Sequence, residues 1–470
     1  MSHEPDAGAH ATSIDGRHFT YEVPVGRLDL RVGGFVVIEE GRSGGRLGYV
    51  TGVSPAAHDR RIARVDGRLL EGHDEPFGEA ATRVAAADEV ARWLDGARPA
   101  RAVLDVGTLA FAEGVPLGLD AGAFDRHTFL CGQSGSGKTY ALGTILERLL
   151  AETSLRIVVL DPNSDFVRLA ELRDDVGDDV RARYVAAAAG VDVRRAGDGG
   201  PDRLHVRFRD FDAGEQAAVL RLDPIDDRDE YAALAEALEA SGSRGSGTAR
   251  EAVDGLWEAP EPFHSLGVRA RNLGIDRWQI WSGADHGSLE ELVQPGGPRC
   301  VVADLGSLET REEQAVAAEA LLAALWRRRA AREPVLVVID EAHNVCPAVP
   351  EDPLIALATE HAVRLAGEGR KFGLVLLVAT QRPQKVHENV VSQCDNLVLM
   401  RMNSRSDLGL LAETFSFVPS PLLALAADFR QGEAVVAGKL VPSPLLGRFG
   451  PRWSAEGGAD VPADWAATSG

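Results

Sequence analysis

Gly132-Gln133-Ser134-Gly135-Ser136-Gly137-Lys138-Thr139 spells G-x-x-x-x-G-K-T, and Tyr140 follows it. A short apolar run ends just before Gly132. Leu142, Ile145, Leu146 and Leu149 come after it at i, i+3, i+4 and i+7, the period of a helix face. Strand, glycine loop and helix together make a phosphate cradle. Gly132, Gly135 and Gly137 let the backbone curl so that N–H groups point at an anion, with a helix N-terminus behind them. In that arrangement Lys138 reaches the β- and γ-phosphates, and the Thr139 hydroxyl holds Mg²⁺. The bland alternative is a glycine-rich turn before an ordinary helix. A dinucleotide fingerprint is excluded, because Tyr140 stands where the third glycine of G-x-G-x-x-G would fall.

A second cluster supplies what a cradle lacks. Pro334-Val-Leu-Val-Val-Ile-Asp340-Glu341-Ala-His343 is an apolar strand followed directly by two acids. Beside a phosphate cradle, the first acid supports Mg²⁺ through its water shell and the second polarises the attacking water, which favours ATP hydrolysis. Leu374–Thr380 is another apolar run, and Gln381 at its end is a candidate γ-phosphate sensor or a plain strand-end cap. Glu368-Gly-Arg370-Lys371-Phe-Gly373 places a cation on a tight turn. Arg370 is either an arginine finger acting across a subunit boundary or a solvated basic turn. His343 has no companion at metal-ligand spacing and reads as structural. Arg327-Arg-Arg329 closes a helix with favourable C-terminal cations. The arginines between Arg181 and Arg209 read as a mixed solvated face, with a phosphate-contacting surface as the weaker option.

The elements that must position these groups are α/β. Buried-strand runs recur at Leu155–Asp161, Arg299–Asp304, Val335–Asp340, Leu374–Thr380, Asn396–Met400 and Glu433–Val436, with helical patterns between most of them. Ligands of such sheets sit at the strands' carboxyl ends, where Asp161, Asp340 and Gln381 fall. The expected organisation is a flexible tail over residues 1–20 and a small β-barrel over 21–120. A RecA-like ATPase domain then covers 121–440, with a mostly parallel sheet and a helical insertion at about 214–297. An extended tail or arm fills 441–470. Within the barrel region, strands are expected at Leu28–Val32, Phe35–Ile38 and Leu47–Val50, with Asp66-Gly67 and Asp105–Gly107 as turns and a helix near Ala80–Leu94. Ser241–Gly247 reads as a flexible connector.

Composition narrows the class. The chain has 470 residues, is 45% hydrophobic and has a mean hydropathy of −0.10, values of a globular protein. No secretory leader and no membrane span is visible, and four scattered cysteines in no C-x-x-C pair suggest free thiols in a reducing cytoplasm. A net charge of −21 counts against coating nucleic acid with the outer surface, though not against a locally basic channel.

With these residues assembled, the chain resembles the HerA–FtsK group of P-loop ATPases, and HerA-type translocases most closely. The resemblance rests on the order of Arg126-His127 before the glycine loop, Asp161-Pro-Asn-Ser-Asp165-Phe, Ile339–His343, Gly369-Arg-Lys-Phe-Gly373, Thr380-Gln-Arg-Pro383 and Ser392-Gln-Cys-Asp395. It covers roughly residues 25–450. It implies a homohexameric ring with ATP sites between subunits, double-stranded DNA in the pore, and a partner nuclease of the NurA type or another effector in DNA end processing or phage defence. Lys138, Thr139, Asp340, Glu341 and Gln381 would then act in cis, while Arg370 and Arg126 would reach the neighbour's nucleotide. Asp165 departs from the family's usual Glu. Two other readings stay open: an ATPase scaffold that regulates an effector without moving along DNA, and a conjugation or secretion motor.

Overall fold

The computed structural model describes residues 9–39, 45–71, 75–97, 99, 101–197, 203–241, 249–281 and 287–458. Strands β1 (His10–Ser13), β2 (His18–Pro24), β3 (Phe35–Glu39), β4 (Gly45–Pro55), β5 (Ile62–Leu69) and β6 (Phe77–Val84) close into an antiparallel barrel, in the order β1-β2-β5-β4-β3-β6. Alternation explains the closure: Phe19, Tyr21 and Val23 of β2, Val36 and Ile38 of β3, and Ala63 and Val65 of β5 all point into one core. Helix α1 (Ala87–Ala97) covers the outside of β3, where the Trp93 ring sits 6.2 Å from Phe35.

The barrel differs from the sequence expectation in four places. The tail expected over 1–20 holds β1 and the start of β2, because Ala11 and Phe19 are core residues. Leu28–Val32 is not a strand; Leu28 and Leu30 pack against the core from a loop. The helix expected near Ala80–Leu94 begins only at Ala87, since the residues before it form β6. Asp66-Gly67 is mid-strand. Its glycine serves packing, not turning: a Cβ at Gly67 would lie 2.1 Å from the Phe19 ring. Gly67→Val therefore forces Phe19 out of place and costs about 1–3 kcal/mol of stability. Denaturant melts of the two proteins check this, and a variant as stable as wild type would refute the packing role.

Beyond the barrel come β7 (Val103–Leu109), β8 (Pro116–Asp120), β9 (Thr128–Cys131), α2 (Lys138–Glu152), β10 (Arg156–Asp161), α3 (Asp178–Ala188) and β11 (Val191–Arg194). Five helices follow: α4 (Ala213–Val219), α5 (Arg228–Ser241), α6 (Ala249–Glu258), α7 (Phe263–Leu273) and α8 (Leu289–Leu292). Then come β12 (Cys300–Asp304), α9 (Arg311–Arg327), β13 (Val335–Ile339), α10 (Pro353–Glu368), β14 (Leu374–Thr380) and α11 (Glu388–Val391). The chain ends with β15 (Asn396–Met400), α12 (Arg405–Thr414), α13 (Ser420–Ala424), β16 (Glu433–Ala437) and β17 (Leu445–Phe449). Most of the connector expected at Ser241–Gly247 lies outside the described residues.

The chain divides into two units. The first comprises residues 1–124, 128–148 and 395–451. Besides the barrel it holds the strand run β9-β15-β16-β17-β7-β8, in which β9 and β15 are parallel and the rest antiparallel. The antiparallel part is an addition that the sequence does not announce. It recruits residues expected in the barrel (β7 and β8) and in the C-terminal arm (β17). Asp105–Gly107 is again no turn; it is a bulge in β7 where a Cβ at Gly107 would meet the Arg448 carbonyl at 1.9 Å. The second unit comprises residues 125–127, 149–394 and 452–470. Its strands β11-β12-β10-β13-β14 are all parallel, and every residue of β10, β12, β13 and β14 is buried. Burial on both faces is why these strands read as continuous apolar runs.

Candidate active site

In the first unit, β9 feeds the glycine loop and α2 begins at Lys138. Gly135 and Gly137 have φ of 71° and 93°, which side-chain-bearing residues rarely adopt. Gly132 is equally constrained, since a Cβ there would lie 2.6 Å from Ser136 Oγ and 2.8 Å from Met400 Cβ. The loop is braced from outside the motif. Gln133 N–H donates to the Arg401 carbonyl at 2.9 Å, an Arg401 Nη2 donates to the Gly135 carbonyl at 3.0 Å, and Gly432 N–H donates to the Ser136 carbonyl at 2.9 Å. Asn403 N–H donates to Gln133 Oε1 at 3.1 Å. Lys138 is buried, and the buried Ser136 Oγ has no hydrogen-bond partner among the described residues. A positive-φ glycine cradle with a buried lysine fits nucleotide phosphates, with Thr139 at the helix N-terminus able to hold their Mg²⁺. Arg401, Asn403 and Gly432 were not legible in the sequence, because only the fold brings them to the loop.

In the second unit, the parallel strands end in polar groups on one edge. Asp161 pairs in register with Asp304, Asp340 directly follows β13, and Thr380 ends β14. The buried Asp161 carboxylate accepts the backbone N–H groups of Asp165 at 3.0 Å and Phe166 at 2.8 Å, so it ties the turn after β10. Ser164 in that turn donates to Asp304 at 2.6 Å, and Arg195 donates to the other Asp304 oxygen at 2.8 Å. Asp161 thus acts on its own backbone, a structural role beside the nucleotide-contacting one expected for it.

Burial raises the Asp161 carboxyl from 3.8 to about 7, with the negative charges of Asp165 and Asp340 adding to the effect. The folded state therefore binds more protons than the unfolded state between those values. This group's contribution is greatest in acid and is lost as pH rises through 7, by about 1.4 kcal/mol per pH unit between the two pKa values. Asp161→Asn removes that slope. Thermal melts without nucleotide at pH 5 and pH 8 should show the wild type losing more stability than the variant; equal losses would contradict the assignment.

Asp340 is fully buried and Glu341 nearly so. Glu341 has φ of 43°, a costly left-handed conformation for a residue with a side chain, of the kind that clusters at functional sites. His343 Nδ1 lies 3.3 Å from Glu341 Oε2 and 3.1 Å from Thr380 Oγ1, and Thr380 Oγ1 also accepts the Arg382 N–H at 3.0 Å. His343 is thus a bridge between the ends of β13 and β14, a role that spacing alone could not reveal. Gln381 is half-buried just beyond β14. Arg370 is exposed on a 3₁₀ turn (Gly369–Phe372) closed by Gly373 at φ 81°. Arg126 lies beside Asp125, its Nε 3.2 Å from Oδ1. The adjacent His127 is buried and accepts the Leu376 N–H of β14 at Nδ1, at 2.9 Å. Four of the arginines after Arg181 are tied up in ion pairs: Arg183 with Glu152, Arg194 with Asp192, Arg195 with Asp304, and Arg207 with Asp210. Among the described residues no group of three or more His, Cys, Asp or Glu could hold a metal by itself. All four cysteines are buried thiols, none in a disulfide.

Residues 104–264 match the family described as "Helicase HerA, central domain". The chain is 23% identical to the DNA double-strand break repair helicase HerA of Pyrococcus furiosus, over 83% of this chain and 76% of that protein. The chain is similar to HerA-type P-loop ATPases. It is 35% identical to the HerA helicase of Sulfurisphaera tokodaii over 24% of this chain, a match that spans only 22% of that protein. The fold of this chain is similar to that of VirB4 of Thermoanaerobacter pseudethanolicus, with a TM-score of 0.51 and 17% identity over 75% of this chain and 97% of that one. The RecA-like core with an N-terminal barrel is the architecture that the sequence led us to expect. No helix among the described residues is long and apolar enough to cross a membrane.

Proposed function

We propose that this ATPase assembles as a homohexameric ring in the cytoplasm and uses Mg²⁺-dependent ATP hydrolysis to move along double-stranded DNA. The observation that carries the reading is the strained, nearly buried Glu341 next to Asp340, in a chain that also forms a complete phosphate cradle. A cradle alone binds nucleotide; a positioned carboxylate makes water attack it. Gly132–Tyr140 would hold the phosphates, with Lys138 on the β- and γ-oxygens. Thr139 and Asp340 would hold Mg²⁺, partly through water, and the ion would neutralise charge that develops on the transferred phosphoryl group. Glu341 would take the proton from the attacking water. Gln381 would orient that water. Arg370, and Arg126 as a second candidate, would complete the site on the neighbouring subunit. HerA relatives named as double-strand break repair helicases support duplex DNA as the track. A NurA-like nuclease or another effector docked on the ring would use the motion, in end processing or phage defence.

The test is steady-state ATPase with and without linear duplex DNA. Several-fold stimulation by duplex is the expected result. Hydrolysis that ignores DNA would favour an ATPase scaffold that regulates an effector.

A further inference from the structure

One cleft in the second unit is not absorbed by the ATPase chemistry. It has a volume of about 700 Å³ and is walled by the start of α9, the loop after β13, the start of α10 and the turn after β14. Its polar lining includes Arg311, Gln314, Arg382 and Lys385, against a single acid, Glu351, exposed at the rim. In a chain of net charge −21 this local excess of cations runs against composition. By contrast, Arg183, Arg194, Arg195 and Arg207 are paired with neighbouring acids. Among the described residues, the Arg311, Arg382 and Lys385 side chains make no ion pair and no hydrogen bond. Three unpaired cations converging on one concave surface, with amide donors between them, suit closely spaced oxyanions.

The walls are also connected to the hydrolytic acid. His343 lines the cleft and stands 3.3 Å from Glu341 Oε2. It meets Thr380 Oγ1, which in turn accepts the backbone N–H of Arg382, a second lining residue. The two polar walls are fastened together by main-chain bonds, Ala348 N–H to the Lys385 carbonyl at 2.9 Å and His387 N–H to the Cys346 carbonyl at 2.9 Å. A ligand that pulls on Arg382 or displaces His343 therefore changes the surroundings of Glu341 without touching the nucleotide.

We propose that this cleft is a nucleic-acid backbone site, where Arg311, Arg382 and Lys385 hold DNA phosphates, and that His343 couples its occupancy to Glu341. The inference rests on the DNA reading above and names the contacts that reading left open. His343 acts through Glu341 and is a positioning residue.

The experiment measures binding of a short fluorescent duplex to the full chain with a non-hydrolysable ATP analogue, across salt from about 50 to 200 mM. The Arg311→Ala/Lys385→Ala double variant is expected to bind about tenfold more weakly, with a log Kd against log salt slope smaller by about two. Unchanged affinity and slope would overturn the site while leaving the DNA motor intact. Loss of self-assembly with an unchanged slope would assign the cleft to a second copy of the chain and overturn it too. No duplex binding by the wild type would overturn the motor reading itself, and this site with it. For the coupling, His343→Ala measured at saturating duplex and ATP should show no stimulation of kcat by DNA. His343→Asn keeps a polar side-chain group near the Nδ1 position and should regain part of the stimulation. Equal stimulation in wild type and His343→Ala would overturn the coupling.

Discussion

Glu341→Gln should hydrolyse ATP about 10²- to 10⁴-fold more slowly than the wild type while still binding nucleotide, the range that loss of a general base produces. The substitution keeps side-chain length and the left-handed backbone at φ 43°, so the fold and the glycine loop are left as they were. What changes is proton affinity: an amide oxygen cannot take a proton from water at neutral pH, whereas a carboxylate can. His343 Nδ1, 3.3 Å from Oε2, then faces a neutral amide in place of an anion, which leaves the local packing in place. Lys138→Ala provides the contrast. It removes the buried cation at the start of α2, and nucleotide binding itself is lost. Phosphate release and equilibrium binding of a fluorescent nucleotide, measured on both variants, separate the two defects. Near-wild-type turnover in both would defeat the active-site assignment.

Arg370→Ala should be inactive alone, by about 10³-fold or more, the scale of an arginine finger. Mixed with Glu341→Gln, it should regain activity. Each Arg370→Ala subunit keeps its own Glu341, and a Glu341→Gln neighbour supplies the missing arginine, so some interfaces in a mixed ring are complete. A finger acting within its own chain gives no such rescue. The geometry favours presentation outward: Arg370 is exposed on a turn fixed by Gly373 at φ 81°, and a Cβ at Gly369 would strike the Leu374 carbonyl at 2.7 Å, so the turn has little freedom to fold back. ATPase rates across a series of mixing ratios, with ring mixing verified by differently tagged chains, decide the matter. No recovery at any ratio would place the arginine's role, if it has one, within its own subunit.

What could be read from the chain in advance was chemistry held in contiguous residues. The glycine loop, the Asp340-Glu341 pair and the buried parallel strands each carry their signal locally, because phosphate cradles and doubly buried strands constrain neighbouring residues. Contacts made by distant residues were not readable. Asp66-Gly67 and Asp105–Gly107 look like turns, yet each glycine is fixed by something far away in sequence, the Phe19 ring or the Arg448 carbonyl. The first barrel strands were missed because Ala11 and Phe19 are sparse apolar residues among polar ones, and only closure against β5 and β6 makes them core. The bracing of the glycine loop by Arg401 and Gly432, and the His343 bridge from Glu341 to Thr380, are likewise products of strand order. Arg126 and Asp161 also have local partners that their places in the sequence did not announce, Asp125 for the one and the turn after β10 for the other.

If hydrolysis at Glu341 drives movement along duplex DNA, displacement of a third strand from a DNA triplex measures that movement directly. The wild-type ATPase should strip the third strand in an ATP-dependent manner, and Glu341→Gln should leave it bound at the same protein and nucleotide concentrations. Duplex-stimulated ATP hydrolysis with the triplex left intact would contradict a translocating role, because the energy would then be released without movement.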